Sequence, residues 1–393
     1  MNTSINFDLE QRIVLACTLA PDAAGSGPFV DLGPADSIDW VRLRAVAAAF
    51  GVRPLVARGL AGSAPDELDA CISAARANEG RARLLTGELL TILDALAAVG
   101  VPAIPFKGPV LEHVLGAAPG LREMGDLDFL VRTEHLFPAT RALAPLGYQS
   151  VLPIHALDYP SMDRVSPEWP LLRPVDGLLI ELHCRVAPAW FPTPCSLHDI
   201  EARQQTLTLA GHRIAWPAPE ELLLIHICDG MKSCGRGMKW IGDVARILRR
   251  HPEMDWAHIK AVASRHGGLN VVRVALALVI DCCAETAEAL DVPEIGLSVP
   301  PQAEARLTPR LAGAVEQIRA ALQTDAPLPG AMAHFRWSIR VSDDRLKTAR
   351  AIVRYLAGPA IADLAQEPST AGILPLPARA FLRRLRSVVG VRH

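Results

Sequence analysis

The stretch FKGPVLEHVLGAAPGLREMGDLDFLV, residues 106–131, carries the most informative structural pattern of this chain. It ends in D-L-D-F-L-V, an apolar segment that carries Asp126 and Asp128 two positions apart. Side chains alternate between the two faces of a strand, so both carboxylates share one face and the apolar residues pack behind it. Two like charges held this close repel each other unless a cation compensates them. The segment therefore predicts either a strand that binds Mg²⁺ or an ordinary strand edge with two solvent-exposed acids.

An anion-binding turn is predicted just before this strand. The apolar run at 101–105 indicates a strand, and Lys107, Gly108 and Pro109 follow it where a helix begins. Glycine allows a close approach of the backbone, and proline suits the first position of a helix. The free N–H groups of that helix, beside the Lys107 ammonium, favour an anion. A phosphate-binding turn followed by a carboxylate strand is the order that metal-assisted nucleotide chemistry requires.

A third carboxylate lies in a predicted hairpin downstream. The runs WPLLRP and LLIELHCRV flank a turn at Asp176 and Gly177 and predict two antiparallel strands. On the second strand, Glu181 and His183 share one face. Taken alone, Glu181 fits an ordinary surface acid of a strand. His183 fits either a site residue or a hydrogen-bonding neighbour that orients a carboxylate.

Three segments of the chain resemble the uncharacterised nucleotidyltransferase family of the polymerase-beta-type superfamily: K-G-P-V-L-E, G-L-R-E-M-G-D-L-D-F-L-V and the later E-L-H. The strong motifs span residues 104–185, and weaker similarity extends over most of the chain. Phe106 replaces a usual Leu, and Cys184 stands where the family often has Trp. The resemblance implies an α+β fold, with a small mixed nucleotidyltransferase sheet and flanking helices between an N-terminal and a C-terminal helical lobe.

The resemblance also implies the roles of the site residues. Asp126, Asp128 and Glu181 would be the catalytic residues and would bind one or two Mg²⁺ (or Mn²⁺) ions. Lys107 and Gly108 would bind the phosphates of the NTP substrate, for example ATP. His183 is a further candidate residue of the same cleft.

Other candidate residues border this predicted cleft. Arg122 would grip a phosphate with its guanidinium, or it forms a structural ion pair with Glu123 or Asp126. Lys239 and Asp243 share one face of a predicted helix. The resemblance implies that this helix borders the nucleotide cleft; alternatively, it is an amphipathic helix with a Lys–Asp ion pair.

The cysteines and histidines indicate no second metal site. The eight cysteines lack zinc-binding spacing and predict buried or free thiols in a reducing compartment. His226, Cys228 and Asp229 imitate a metal cluster, but their spacing fits a helix histidine with a satisfied hydrogen-bonding partner better.

The chain is predicted to have three parts: an N-terminal helical lobe at 1–98 that packs against the core, a nucleotidyltransferase core at 99–215 and a C-terminal helical domain at 216–393. Within the core we expect strand 101–106, helix 109–116, strand 126–132, helix 134–145 and strand 147–152, then the hairpin and a second hairpin or helix–strand unit at 196–214. Near the C-terminus, basic amphipathic helices at 344–356 and 378–386 are either solvated or meet a membrane or an acidic partner.

Charge and hydropathy exclude several classes of protein. The 40 basic residues nearly balance the 42 acidic ones, which argues against a broad nucleic-acid-binding surface. The most apolar run contains Arg273 and Asp281 and is too short to be a transmembrane segment. The first residues lack the pattern of a signal peptide, so a cytoplasmic location is expected.

The expected function is transfer of an NMP from an NTP to a hydroxyl-bearing acceptor, which is a small molecule, peptide, protein or tRNA. One alternative is an NTP-dependent phosphotransferase that acts on a natural-product or peptide substrate with the same metals. The other is a catalytically silent nucleotide-binding module, against which the intact set of three acids argues.

Overall fold

The computed structural model describes residues 7–20, 37–61, 66–152, 166–289, 307–323 and 330–357. Its N-terminal part is helical, as predicted. Asp8 and Asp39 cap the first two helices by accepting backbone N–H groups, which satisfies donors that a helix start leaves free. The four helices are α1 (Leu9–Leu19), α2 (Trp40–Ala49), α3 (Arg53–Gly59) and the long α4 (Asp69–Ala98).

The central part is a five-stranded mixed sheet of β1 (Ile104–Pro105), β2 (Asp126–Leu130), β3 (Gln149–Ser150), β4 (Glu168–Arg173) and β5 (Leu178–His183). The order of the strands in the sheet is β1-β2-β5-β4-β3. Strands β2 and β5 are parallel, and the other neighbouring pairs are antiparallel. This confirms the α+β fold with a small mixed sheet. Two helices accompany the sheet: α5 (Gly108–Leu115) follows β1, and α6 (Leu136–Leu143) follows β2.

The pleat of the two central strands sorts their side chains as predicted. Leu127 and Phe129 of β2 and Ile180 and Leu182 of β5 are fully buried. The acidic residues alternate with them and therefore lie on the opposite face of the sheet. Burial of each such apolar side chain is worth roughly 1.5–3 kcal/mol, so the buried face fixes which way the acids point.

The edge strands are shorter than predicted. Strand β1 covers two residues of the expected 101–106, and β3 covers two of the expected 147–152. Pro105 has no N–H group to donate to a ladder, which confines its segment to a short edge strand. The expected helix 134–145 is likewise divided, because α6 lies between two short 3₁₀ turns.

The remaining chain is mainly helical. The segment predicted as a second hairpin or a helix–strand unit contains both, a short helix and then a two-stranded hairpin. The basic helix predicted at 378–386 lies outside the described residues, and one helix at 331–341 was not predicted. The elements are α7 (Leu197–Arg203), β6 (Gln205–Leu209), β7 (His212–Trp216), α8 (Pro219–Lys232), α9 (Lys239–Arg250), α10 (Trp256–His266), α11 (Leu269–Ala289), α12 (Pro309–Gln323), α13 (Ala331–Val341) and α14 (Arg345–Ala357).

The N-terminal helices pack in two directions. Helix α4 packs against α5 and α6, whereas α1 packs against α9 and α11. The Gln11 side chain donates to the carbonyl oxygen of Gln323 at 3.0 Å, and Arg246 donates to that of Thr18 at 2.8 Å. The N-terminal part therefore contacts the C-terminal helices as well as the sheet region. One hydrophobic cluster runs from Phe7 to Val341.

The eight cysteines are all buried and free, as predicted. Within the described part of the chain, every helix falls short of the length and apolarity that a membrane span needs.

Candidate active site

The predicted acids meet on one face of the sheet. Asp128 of β2 lies directly opposite Glu181 of β5 in the parallel register. One ligand atom each from Asp128, Glu181 and His183 lies within 4.8 Å of the other two. Asp126 lies two residues before Asp128, on the same face of β2. The two strands thus bring together acids that the sequence keeps far apart.

Asp128 is a buried carboxylate with two basic neighbours. Only 5% of the residue is exposed. Its Oδ1 lies 2.9 Å from Nε2 of His183 and 3.5 Å from Nζ of Lys107. Burial by itself would raise the pKa of Asp128, but Lys107 and His183 hold that pKa well below its ordinary value. Asp128 therefore stays ionised, as a metal ligand must.

His183 lies between the carboxylates of the site. Its Nε2 is also 3.4 Å from Oε2 of Glu181, and its Nδ1 is 3.6 Å from Oε2 of Glu168. Burial would lower the pKa of His183, but the hydrogen bonds to Asp128 and Glu181 raise it. This geometry allows both roles suggested by the sequence, a site residue that offers a ligand atom and a neighbour that orients Asp128 through a hydrogen bond.

The acid cluster carries mutual repulsion that a divalent cation relieves. Burial, followed by the charge of Asp128 and then that of Glu181, raises the pKa of Asp126. Carboxylate oxygens are the donors that Mg²⁺ takes, and an imidazole beside them is compatible with Mn²⁺. The cluster of Asp128, Glu181 and His183 therefore fits a divalent ion, and Asp126 lies outside this cluster on the same face of β2.

Lys107 and Gly108 connect the predicted turn to the acids. Gly108 begins α5 with a φ of +59°, a left-handed conformation that glycine adopts without strain. The largely buried Lys107 ammonium lies 3.5 Å from Oδ1 of Asp128 and 3.3 Å from Oδ1 of Asp229. Burial would lower the pKa of Lys107, but Asp229 and Asp128 raise it. The predicted phosphate-binding cation thus lies beside the acidic strand.

Arg122 has a different ion-pair partner from those expected. Its Nε donates to Oδ2 of Asp243 at 3.0 Å, whereas the sequence suggested Glu123 or Asp126. Glu123 instead accepts from Arg53, at 2.9 Å from Nε. The pair between Arg122 and Asp243 links the loop before β2 to helix α9, a contact that spacing along the chain does not predict.

Lys239 does not form the ion pair with Asp243 that the sequence suggested as one alternative. Asp243 pairs with Arg122, so the expected Lys–Asp pair is replaced, and Nζ of Lys239 donates to the carbonyl oxygen of Glu123 at 2.7 Å. Burial and then the charge of Arg122 lower the pKa of Lys239 to about 8. Lys239 therefore lies close to the segment that leads into β2.

Two residues near the site were not predicted as site residues: Lys232 was not considered, and Asp229 was named only in a rejected metal cluster. Asp229 and Lys232 lie three positions apart on α8, and Nζ of Lys232 is 2.9 Å from Oδ1 of Asp229. Asp229 also pairs with Lys107, as described above. A signal was present, because the chain has only five lysines and three of them lie near the site, while Lys260 and Lys347 are exposed elsewhere.

His226 is a buried helix histidine, but the prediction that it has a hydrogen-bonding partner is wrong. The residue is 0% exposed, and within the described structure both of its ring nitrogens lack a hydrogen-bond partner. Its Nδ1 is 3.9 Å from Oδ2 of Asp243. Burial lowers the pKa of His226 to about 4, so the ring is neutral near pH 7.

Comparison with known protein families agrees with this geometry. A model of an uncharacterised nucleotidyltransferase family matches residues 36–284, which is more than half of the chain. Comparisons with curated proteins and with solved structures gave no match. Family membership supports a transferase, and the cluster of Asp128, Glu181 and His183 is compatible with a divalent metal. The chain belongs to the uncharacterised nucleotidyltransferase family.

Proposed function

We propose that this protein is a metal-dependent nucleotidyltransferase that moves an NMP from an NTP to a hydroxyl group of an acceptor. The observation that carries the proposal is the register of Asp128 opposite Glu181, with Lys107 at 3.5 Å from Asp128. Paired carboxylates beside a cation are what a metal-bound triphosphate needs. The family match supports the same class of reaction.

In this proposal, Asp126, Asp128 and Glu181 bind Mg²⁺ or Mn²⁺. Bound there, the ion supplies Lewis-acid stabilisation of the charge on the phosphates and on the acceptor oxygen. His183 keeps Asp128 oriented through the 2.9 Å hydrogen bond. Glu181 is the more accessible of the two paired carboxylates. It is therefore also suited to accept the proton of the acceptor hydroxyl.

The phosphates would meet the basic side of the site. Lys107 neutralises the oxygens of the β- and γ-phosphates, and the backbone N–H of Gly108 donates to them. Arg122 adds positive charge from the loop before β2, where Asp243 holds it in place. Lys239 borders the same segment. These groups position the triphosphate for displacement at the α-phosphorus.

The positions of the strands along the chain support a core with a helical part on each side of it in the sequence. We propose a nucleotidyltransferase core at 99–215, preceded by the helical lobe at 1–98 and followed by the helical domain at 216–393. Of the seven strands within the described residues, six fall inside the proposed core, and β7 ends one residue beyond it. We also propose a cytoplasmic location, since eight buried free thiols suit a reducing compartment.

The experiment that tests the function compares transfer of two radioactive labels. The purified protein is incubated with each NTP, labelled at the α- or the γ-phosphate, with Mg²⁺ and separate pools of small hydroxyl compounds, peptides, proteins and tRNA. Nucleotidyl transfer predicts α-label on one acceptor pool and γ-label in released pyrophosphate. Transfer of γ-label to the acceptor would instead identify a phosphotransferase. Binding of NTP without either transfer would indicate a silent nucleotide-binding module.

A further inference from the structure

Two lysines from different parts of the chain share one carboxylate. Oδ1 of Asp229 lies 3.3 Å from Nζ of Lys107 and 2.9 Å from Nζ of Lys232. The three side chains are largely buried, with 29%, 14% and 23% of their surfaces exposed, respectively. Lys107 directly precedes α5 of the sheet region, whereas Asp229 and Lys232 lie on the last turn of α8. The pair of ammonium groups is therefore built by the tertiary fold.

The end of α8 that carries this pair is held firmly. Nε1 of Trp337 donates to the carbonyl oxygen of Met231 at 2.8 Å, and Gly230 packs directly against the indole of Trp240. Asp229 and Lys232 lie on either side of these contacts along the helix. Their positions are thus fixed by buried aromatic side chains, unlike those of ordinary surface residues.

The pair also faces the acidic strands. Lys107 bridges from Asp229 to Asp128, so the order of charges is Lys232, Asp229, Lys107, Asp128. Burial would lower the pKa of Lys232. The charge of Asp229 and, to a smaller extent, that of Glu168 on β4 raise it. Lys232 contacts Asp229, which in turn contacts Lys107 beside the acidic strands.

We propose that Lys107 and Lys232 form a subsite for the terminal phosphates of a polyphosphate, and that Asp229 is an internal anion that these phosphates displace. The proposal rests on the proposed function in that the polyphosphate is the pyrophosphate portion of the NTP. Two ammonium groups around one anion are the arrangement that a terminal phosphate requires. A carboxylate in contact with both ammonium groups competes for the same positive charge.

Asp229 should weaken the binding of a polyphosphate to this subsite in the absence of metal. While Asp229 neutralises the lysines, the subsite attracts a free polyphosphate only weakly. Replacing Asp229 by Asn keeps the shape of the side chain and removes its charge, so the positive charge of Lys107 and Lys232 acts fully on the ligand. Replacing Lys232 by Met keeps the length of the side chain and removes one ammonium group.

The test is calorimetric titration of the full chain with inorganic tripolyphosphate and with pyrophosphate, in the presence of EDTA. We expect D229N to bind tripolyphosphate at least tenfold more tightly than the wild type, and K232M to bind it at least tenfold more weakly. K232R should stay within a few-fold of the wild type. K260M, which removes an exposed lysine of α10, should leave the affinity unchanged. Melting curves of all four variants check that the fold is intact.

Each contrary result has a definite meaning. Equal or weaker binding by D229N overturns the displacement, because Asp229 would then position the lysines without competing with the ligand. Wild-type affinity in a folded K232M overturns the subsite, as does the absence of measurable binding in both the wild type and D229N. The titration needs no metal and no acceptor, so it is independent of the label-transfer experiment. If the affinities are as expected but no label is transferred, the proposed reaction is rejected and the polyphosphate subsite stands.

Discussion

Asp128 and Glu181 lie directly opposite each other on adjacent parallel strands, although α6, β3 and β4 separate them along the chain. The pairing holds two carboxylates on one face, and of these two it is Asp128 that contacts the Lys107 ammonium. Lys107 and His183 contact Asp128, while Glu181 is in contact with His183. The remaining negative charge is what a divalent cation would neutralise.

Replacing Asp128 by Asn separates a metal role from a packing role. The change keeps the shape of the side chain and removes its charge. We expect turnover to fall on the order of 10²-fold or more, since metal stabilisation supplies several kcal/mol and each 1.36 kcal/mol is tenfold. Transfer of α-label and thermal melts with and without Mg²⁺ and NTP measure the effect. The exposed Asp94→Asn serves as the control.

The same variant should also lose stability without metal. The folded pKa of Asp128 is depressed, so its charge stabilises the fold at pH values above the ordinary carboxyl pKa, and this stability is lost as the pH falls through the folded pKa. Asp128→Asn should therefore have a lower melting temperature than the wild type at pH 7. The difference between the two melting temperatures should become smaller in acid. A variant that still transfers label, and that Mg²⁺ and NTP still stabilise, would show that Asp128 is not a metal ligand.

Replacing Lys107 by Ala tests the phosphate-binding role. We expect the affinity for NTP with Mg²⁺ to fall at least tenfold, because an ammonium that neutralises the triphosphate is lost. The melting temperature should fall as well, since Asp128 and Asp229 both lose a partner. Calorimetric titration measures the affinity, and Lys260→Ala is the matched control. Unchanged NTP affinity in the folded variant would leave Lys107 with a structural role alone.

His226 predicts a dependence of stability on pH. Its folded pKa of about 4 lies below the ordinary 6.5, so the unfolded chain binds the proton more tightly and stability falls as the pH drops from 6.5 to 4. At 1.36 kcal/mol per pKa unit, the loss approaches about 3 kcal/mol at pH 4. The charged groups that act on it are Asp243, Arg122, Asp229 and Lys107.

The variant that tests this dependence is His226→Leu. It removes the titrating group and two buried nitrogens without partners, so the free energy of unfolding at pH 7 should change little and its fall toward pH 4 should be shallower. Urea unfolding at a series of pH values measures both quantities. His198→Gln, at an exposed position, should follow the wild-type curve. An equally steep fall in His226→Leu would show that the ring does not titrate as proposed.

The contact between α8 and α9 predicts a sharp difference between two glycines. A Cβ atom at Gly230 would lie 2.2 Å from the indole of Trp240, whereas a Cβ atom at Gly87 in α4 would meet nothing within 4 Å. Gly230→Ala should destabilise the protein by roughly 1–3 kcal/mol through overpacking. Gly87→Ala should stabilise it by roughly 0.5–1 kcal/mol, because alanine suits a helix better. Chemical denaturation of both variants checks the prediction, and equal effects would contradict the close contact.

The local elements of the site could be predicted from short spacings in the sequence. The alternation in D-L-D-F-L-V placed Asp126 and Asp128 on one face, and the turn at Asp176 and Gly177 is where the predicted hairpin turns. The start of α5 beside Lys107 followed from Gly108 and Pro109. These features depend on spacings of two to four residues, where strand pleating, helix periodicity and the backbone freedom of glycine act directly.

The way in which these elements meet could not be predicted, because it depends on tertiary packing. The parallel register of β2 and β5 depends on which buried faces pack together, and it set Asp128 opposite Glu181. The pairing of Arg122 with Asp243, and the placing of Asp229 beside Lys107, depend on where the helices after the core pack against the sheet region. Ion pairs between distant segments carry no periodic signal in the chain. Their partners are fixed only when apolar burial has brought the segments together.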